Sequence, residues 1–483
     1  MKHGYWYLLL ILLVGLTVRL YRINEPLADW HSWRQVDTTG VTREFIKDGI
    51  DILRPRYMDL SSIPSGKDNP LGWRMVEFPF VNAVSAATYN FAKANGANVS
   101  LTVLERLISI SFSLGSIIFL YLIVKWVSGE SLGLLSAFIF AILPFNIYFS
   151  RVTLPEPKLV FFSLAASYFF LRFISSGSII SWTFGVLMAA LATLIKPTWL
   201  IIFGPALVLS AIAYKKKQIL TVRWGFVIIL GTILALLPFV LWRLWIGQFP
   251  QGIPASDWLF NAGGIRFRPA WFRWLFADRI GRLILGYWGL IPFGIGLIIK
   301  PAKKENWFFH CWLFGGLAYL SLLASGNVTH DYYQTILIPI FAVFVAKGIK
   351  ALLHPPALFS RAASLSLASC SLLFALAFSW FHIRDYFNIN HPEIIEAGKA
   401  ADQILPATAK VITPYGGDTA FLFATNRSGW PLGGAIEDKL SKGATHYISV
   451  NFDDETRDLM ERCQVMLKAD KYVILDIRQC RSN

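Results

Sequence analysis

Runs of apolar residues long enough to cross a lipid bilayer limit the folds open to this chain more than any other feature. About 18 or more such residues match a hydrocarbon thickness of roughly 30 Å. Eleven segments meet or approach that length: 4–20, 102–124, 131–149, 156–174, 178–195, 198–214, 223–245, 284–300, 307–325, 332–347 and 362–381. The pairs flanking Lys196-Pro197 and His330-Asp331 are the least sharply bounded. Composition agrees, with 55% hydrophobic, 15% aromatic and only 16% charged residues, against roughly 25% charged in soluble domains. The expected fold class is an α-helical polytopic membrane protein of about eleven spans. Its first segment starts with Lys2 and His3 but shows no small-residue cleavage pattern, so it reads as an anchor rather than a removed signal peptide.

The net charge of +15 has to be located before it is interpreted. If every segment spans, Lys125 to Glu130, Lys215 to Lys217 with Arg223, Lys300 to Lys304, and Lys347 with Lys350 share one side with the amino terminus. That is the positive-inside pattern, which makes this side the cytoplasm and argues against a nucleic-acid partner. The other face receives residues 21–101, 150–155, 246–283, 326–331 and everything beyond about 382. Residues 21–76 hold eight Lys or Arg and eight Asp or Glu on that outer face, against the usual trend. The stretch "EFPFVNAVSAATYNFAKANG" after Val76 is too short and interrupted for a span, and reads as a helix lying along the outer surface.

Beyond residue 390 the pattern changes. Helix-like "PEIIEAGKAADQIL" precedes strand-like "KVITPY", "THYISV" and "KYVILDI", with helix-like "DDETRDLMERC" between the last two. The expected division is 1–381, a membrane domain with external loops 21–101 and 246–283, and 382–483, a small external α/β domain. Gly416-Gly417 and Gly433-Gly434 lack the spacing of a phosphate-binding loop or dinucleotide fingerprint. Cys463 and Cys480 both fall in the external part, where a disulfide is chemically permitted.

Four polar clusters emerge on the outer side beside membrane segments: "HSWRQVD" at His31 to Asp37, Glu77 in "RMVEFPF", Glu156 in "YFSRVTLPEPKL", and His330-Asp331 in "GNVTHDYYQT". A carboxylate at a membrane boundary is costly unless solvated or paired. Asp37 reads either as a solvated loop acid or a helix cap paired with Arg34, or as a base for an acceptor hydroxyl. Glu77 either caps a helix ahead of Pro79, shares the base role or binds a metal. Glu156, between Pro155 and Pro157, either starts a helix or serves the site, and Arg151 adds a cation beside it. His330 either occupies a polar turn or binds a metal or anion, with Asp331 to orient it. No closely spaced ligand motif is present, so any divalent ion would be loosely held by distant loops.

The outer arginines carry the strongest hint of a ligand. Arg22, Arg34, Arg43, Arg54, Arg56 and Arg74 precede a second group, Arg266, Arg268, Arg273, Arg279 and Arg282. Guanidinium groups grip phosphate oxygens in a fork. The second group sits in "GGIRFRPAWFRWLFADRIGR", whose Trp and Phe residues suit an amphipathic helix at headgroup level. An anionic lipid headgroup substrate explains both groups, and nonspecific binding to anionic membrane lipid is the alternative.

In this order on one face, "HSWRQVDT", "EFP", "RVTLPEP" and "THDYYQ" make the chain resemble polytopic glycosyltransferases of the GT-C superfamily, specifically the protein mannosyltransferase and lipid A aminoarabinose transferase branch. The resemblance covers roughly residues 1–350. It implies transfer of a sugar from a polyprenyl-phosphate donor to an extracytoplasmic lipid, glycan or protein acceptor, with inversion, in a bacterial cytoplasmic membrane. By it, Asp37 is the catalytic acid, Glu77 a second carboxylate linked in some relatives to metal, and Glu156 stands where many relatives have Asp. His330 and Tyr332, with Asp331 and Tyr333, fit a late-loop substrate motif, and a divalent ion on Glu77 and His330 would be the only cofactor. Arg34, Arg43, Arg56, Arg74, Arg151, Arg266 and Arg268 become donor-binding candidates, Trp33 seats the loop, and His31 and Gln35 contact sugar. The rival readings are a transporter or flippase of lipid-linked sugars, which should place polar groups on broken helices near the bilayer midplane, and a noncatalytic envelope-lipid binding protein.

Overall fold

The computed structural model describes every residue except Met1, Leu220, Thr221, Lys304, Leu358, Ser482 and Asn483, so Lys304 of the charge cluster read as cytoplasmic lies outside the described residues. The chain forms two compact units. A helical unit comprises Met1–Ile23, Leu107–Arg243 and Ser256–Asp385, and a mixed unit comprises Asn24–Arg106, Leu244–Ala255 and Tyr386–Asn483.

Ten of the eleven expected segments return as apolar helices among the described residues. Five are by themselves long and apolar enough to cross a membrane: Leu101–Ser128, Glu156–Ser176, Trp224–Ile246, Asp331–Leu353 and the segment Arg361–Ile404. Five are shorter: Gly4–Arg19, Glu130–Ile142, Ile179–Ile195, Trp199–Tyr214 and Phe308–Leu322. The segment 284–300 departs from expectation, since only Leu290–Ile298 is α-helical and a π-helix, Arg273–Ile284, precedes it. Nine residues at 1.5 Å each give roughly 14 Å of helix, about half a bilayer core.

Two breaks have a proline behind them. Ring clash drives a residue before Pro out of the α region. Leu143, before Pro144, sits at φ −59°, ψ 120° and divides 131–149 into Glu130–Ile142 and Pro144–Phe149. Lys196, before Pro197, sits at φ −153°, ψ 124° and ends helix Ile179–Ile195.

The mixed unit is built on a five-stranded sheet: β1 Lys410–Ile412, β2 Ser428–Trp430, β3 His446–Ser449, β4 Gln464–Lys468 and β5 Val473–Asp476, in the order β2-β1-β3-β5-β4. β1 pairs parallel with β2 and β3, and β5 pairs antiparallel with β3 and β4. Alternate residues point to opposite faces, so Val411, Ile448 and Ile474 join one core while Ile412, Tyr447, Val473 and Leu475 join another. The first of these cores also contains Val36, Val41 and Phe45 of helix Ser32–Asp48, Ile394 and Ala397 of helix Pro392–Ile404, and Phe421. The segment 24–106, read as the first external loop, thus shares a core with the last hundred residues of the chain. It also extends the sheet, because Leu60 N donates to Gly429 O at 2.8 Å and Gly429 N to Met58 O at 2.9 Å. This covers the edge strand β2, an edge that natural sheets protect.

The α/β expectation beyond residue 390 holds for helices Pro392–Ile404 and Asp454–Arg462 and for strands β1, β3 and β5. β2 escapes the sequence reading because it is short and carries Gly429, where a Cβ would lie 1.7 Å from Val411 O. β4 escapes because most of its side chains face solvent. Helix Phe80–Ala94 occupies the stretch read as a short outer helix, and it buries only Ser85 and Ala86.

Cys463 and Cys480 are joined by a disulfide with a sequence separation of 17. Closing a loop of this size stabilises by about 3 kcal/mol through the unfolded chain. Cys480→Ser should lower the melting temperature of the mixed unit by several degrees, and reductant should then add no further loss; an unchanged melting profile would show the bridge to be dispensable.

Candidate active site

In the mixed unit the quoted heptapeptide begins at a strained residue. His31 adopts φ 56°, ψ 36° at the start of helix Ser32–Asp48, a left-handed conformation that costs a non-glycine residue roughly 1–2 kcal/mol. Its ring lies 5.0 Å from Trp30, which stacks on Tyr386 at 4.8 Å. Gln35 is fully buried and donates to Asp29 Oδ1 at 2.7 Å and Trp30 O at 3.0 Å, fixing the turn that precedes the helix. Trp33 is half-buried.

One turn into the helix, Asp37 is 4% exposed. Arg74 Nη2 stands 3.0 Å from its Oδ2, and Thr419 Oγ1 donates to its Oδ1 at 2.7 Å. The cation on Asp37 is therefore Arg74, brought from far along the loop, whereas Arg34 pairs with Glu77. This replaces the expected pairing of Asp37 with its helix neighbour Arg34. Helix geometry gives the reason: residues three apart share a face, but Arg34 is drawn to Glu77, leaving Asp37 to the strand-like segment that carries Arg74.

Behind Arg74 lies a second buried acid. The Arg74 guanidinium sits 5.1 Å from the Tyr57 ring centre, and the Tyr57 hydroxyl donates to Asp59 Oδ2 at 3.3 Å. Burial pushes the Asp59 carboxyl up to about 6, opposed by hydrogen bonds from Ser61 and assisted by the negative charge of Asp37. Burial likewise raises the Tyr57 hydroxyl well above its ordinary value and raises Asp418. For Asp59 the folded protein holds the proton more tightly than the unfolded chain. Its contribution is thus fully present below about pH 4 and lost as pH rises through about 6. The loss is on the order of 3 kcal/mol. Thermal unfolding followed across that range should show stability falling with pH, and Asp59→Asn should flatten this part of the profile; an equal slope in the variant would remove Asp59 as its source.

The remaining first-loop arginines have local roles. Arg43 donates to Phe423 O at 2.8 Å and lies 4.3 Å over the Phe423 ring, tying the helix to the α/β part. Burial lowers its pKa, with Glu44 opposing. Arg56 is exposed and lies 4.6 Å over Trp73.

In the helical unit, Glu156 opens helix Glu156–Ser176 and is 2% exposed. Its Oε1 pairs with Lys196 Nζ, while its Oε2 has no hydrogen-bond partner among the described residues. Lys196 Nζ also lies 4.4 Å from the Tyr333 ring centre and 5.7 Å from that of Tyr332. In the sequence Lys196 marks only a loosely bounded pair of segments beside Pro197, although a charged residue inside an apolar run is itself a functional signal. His330 stacks on Tyr332 at 5.2 Å and meets Trp258 edge-on at 5.5 Å, and Asp331 is buried. Arg151 is fully buried and donates to Tyr21 O at 2.6 Å. Arg266 donates to Phe260 O and Leu322 O, and Arg268 is exposed.

The structure thus brings Asp37, Arg74, Arg34 and Glu77 together in one unit, and Glu156, Lys196, Tyr332, Tyr333 and His330 in the other. Among the described residues no three His, Cys, Asp or Glu side chains form a group able to hold a metal ion. Glu77, a metal candidate, has the Arg34 guanidinium at its Oε1.

Residues 99–242 match the family model for dolichyl-phosphate-mannose-protein mannosyltransferase. No curated protein matches the chain in sequence. In structure the chain is similar to ArnT from Cupriavidus metallidurans bound to undecaprenyl phosphate, with a TM-score of 0.65 and 12% identity over 97% of each chain. It is similar to the apo state of that protein, with a TM-score of 0.63 and 13% identity over 98% of each chain. It is also similar to the Archaeoglobus fulgidus oligosaccharyltransferase solved with Zn and sulfate, with a TM-score of 0.55 and 11% identity over 92% of this chain and 67% of the other. The fold is that of the GT-C, ArnT-like membrane proteins, and the chain is a multi-pass membrane protein.

Proposed function

We propose that this protein is a glycosyltransferase that moves a sugar from a polyprenyl-phosphate donor to an extracytoplasmic acceptor. The observation that carries the reading is Asp37, a buried carboxylate oriented through both oxygens by Arg74 and Thr419 in a chain whose fold matches ArnT over nearly its whole length. That ArnT was solved bound to undecaprenyl phosphate supports a donor of the same lipid class here.

In the proposed reaction an acceptor oxygen or nitrogen attacks the anomeric carbon while its proton passes to Asp37. The new bond forms as the bond from the anomeric carbon to the phosphate oxygen breaks, releasing the polyprenyl phosphate and inverting the centre. Phosphate is already a good leaving group, so arginines that stabilise its charge suffice without a general acid. Single displacement needs one base, unlike the paired carboxylates that hydrolyse ordinary glycosidic bonds. Glu156 in the helical unit, with one unpaired oxygen and Lys196 on the other, is a separate candidate for binding a polar ligand. No step is routed through a metal.

The reading treats residues 1–381 as the catalytic membrane domain and 382–483 as an external α/β domain, in a bacterial cytoplasmic membrane with the amino terminus inside. The Cys463–Cys480 disulfide supports an oxidising compartment for the external part. The test is turnover by purified protein of undecaprenyl-phosphate-linked hexose, aminoarabinose and N-acetylhexosamine, with envelope extract as acceptor. Release of undecaprenyl phosphate from one donor is the expected result. Donor movement across vesicles without release would indicate a transporter, and binding without either would indicate a lipid-binding protein.

A further inference from the structure

We infer that Thr419 of the carboxyl-terminal α/β part is a positioning residue for Asp37, holding the carboxyl group in one orientation in both its charged and its protonated state. The inference rests on the proposed role of Asp37 as base. Thr419 is 4% exposed and opens the short helix Ala420–Ala424. A threonine there usually caps the helix with its own oxygen. This one does not: the Thr419 side chain makes no cap bond, and the neighbouring Asp418 Oδ1 accepts from the Ala420 N–H at 2.7 Å. Its hydroxyl is thereby released for another partner.

Two acceptors face that hydroxyl: Asp37 Oδ1 at 2.7 Å and Trp33 O at 3.3 Å. A threonine hydroxyl has one proton to donate and lone pairs to accept with. While Asp37 is ionised, the proton points at Oδ1. Once Asp37 has taken a proton from the acceptor nucleophile, the new acid can donate to Thr419 Oγ1, and the hydroxyl proton can turn to Trp33 O. The Thr419 hydroxyl thus keeps a hydrogen bond to the carboxyl before and after transfer, with one proton gained by Asp37 and none lost by Thr419. Arg74 fixes the other oxygen at 3.0 Å, so the plane of the carboxyl group is set from two sides.

The turn that delivers Thr419 also acquires a purpose. Gly416 and Gly417 both have positive φ, 61° and 85°, a pairing that glycine adopts without strain. Sequence reading found no phosphate site in this glycine pair. Its geometry instead presents Asp418 and Thr419 to helix Ser32–Asp48, where Asp418 also accepts from the Ser32 hydroxyl at 3.3 Å.

The experiment compares full-length wild type, Thr419→Val, Thr419→Ser and Asp37→Asn with the undecaprenyl-phosphate-linked donor that the wild type consumes. Valine keeps the shape and removes the hydroxyl, whereas serine keeps the hydroxyl. Misplacing a reacting group by about an ångström can cost up to about 100-fold. Thr419→Val should lower kcat about 10- to 100-fold with donor KM within about twofold, and Thr419→Ser should restore most of it. In an Asp37→Asn background, Thr419→Val should add no further loss. Overturning results are a Thr419→Val variant with wild-type kcat, or Thr419→Ser falling as far as Thr419→Val at equal melting temperature. If Asp37→Asn itself turns over normally, or no donor is consumed by the wild type, the underlying reading falls and takes this inference with it; a dead Asp37→Asn beside an active Thr419→Val sinks the inference alone.

Discussion

Asp37→Asn should abolish sugar transfer, lowering kcat by at least about a hundredfold, the lower end of what a general base contributes. Asparagine keeps the size and one acceptor oxygen, so the Thr419 hydroxyl retains a partner. It loses the charge opposite Arg74, whose side chain is 9% exposed. A guanidinium left without its carboxylate in such a place destabilises the fold, and removing one member of a buried pair costs up to about 3–5 kcal/mol. Catalytic and folding effects must therefore be separated. Asp59→Asn serves as the control, since it alters the same network from behind Arg74 without touching the proposed base. Donor affinity in Asp37→Asn should stay near that of the wild type. Normal turnover in a folded Asp37→Asn protein would remove Asp37 from the chemistry.

Lys196→Met should strongly destabilise the helical unit. It strands the Glu156 carboxylate, whose side chain is 3% exposed, without the ammonium that compensates it. Breaking such a pair costs up to about 3–5 kcal/mol, less where one partner reaches solvent; the Lys196 side chain is 22% exposed. Adding Glu156→Gln removes the stranded charge, so the double variant should recover most of the lost melting temperature. Activity should not return with stability if the pair also binds substrate. The cycle of single and double variants in thermal unfolding and in turnover reads the two roles separately. A Lys196→Met protein as stable as the wild type would show that the pair contributes nothing to the fold.

The membrane helices were legible because apolar length is a local property, and ten of the eleven segments return as apolar helices. The exception, 284–300, contains Gly286 at φ 52° and Tyr287 at φ 58°. Two consecutive left-handed residues end the π-helix before Leu290–Ile298 begins. The aromatic, apolar run hid this backbone reversal, since hydrophobicity is blind to φ. Asp37, Glu77, Glu156 and His330 were legible as acids and a histidine at segment ends. Their partners were not. Arg74 lies 37 positions from Asp37, Lys196 lies 40 from Glu156, and Thr419 lies 382 from Asp37. Only tertiary structure shows which of many arginines meets which acid. Thr419 carried no signal of its own, because a threonine after an aspartate at a glycine turn reads as an ordinary cap.

The shared core of the mixed unit also sets a clock on biogenesis. Val36 and Val41 pack with Ile448 and Ile474, so the helix that carries Asp37 cannot complete its surroundings until translation has passed more than four hundred further residues. The segment 24–106 must wait for these partners while the helical unit behind it is made. A chain halted before β5 would lack Ile474 from that core and the antiparallel partner of β3, leaving the surroundings of Asp37 unfinished.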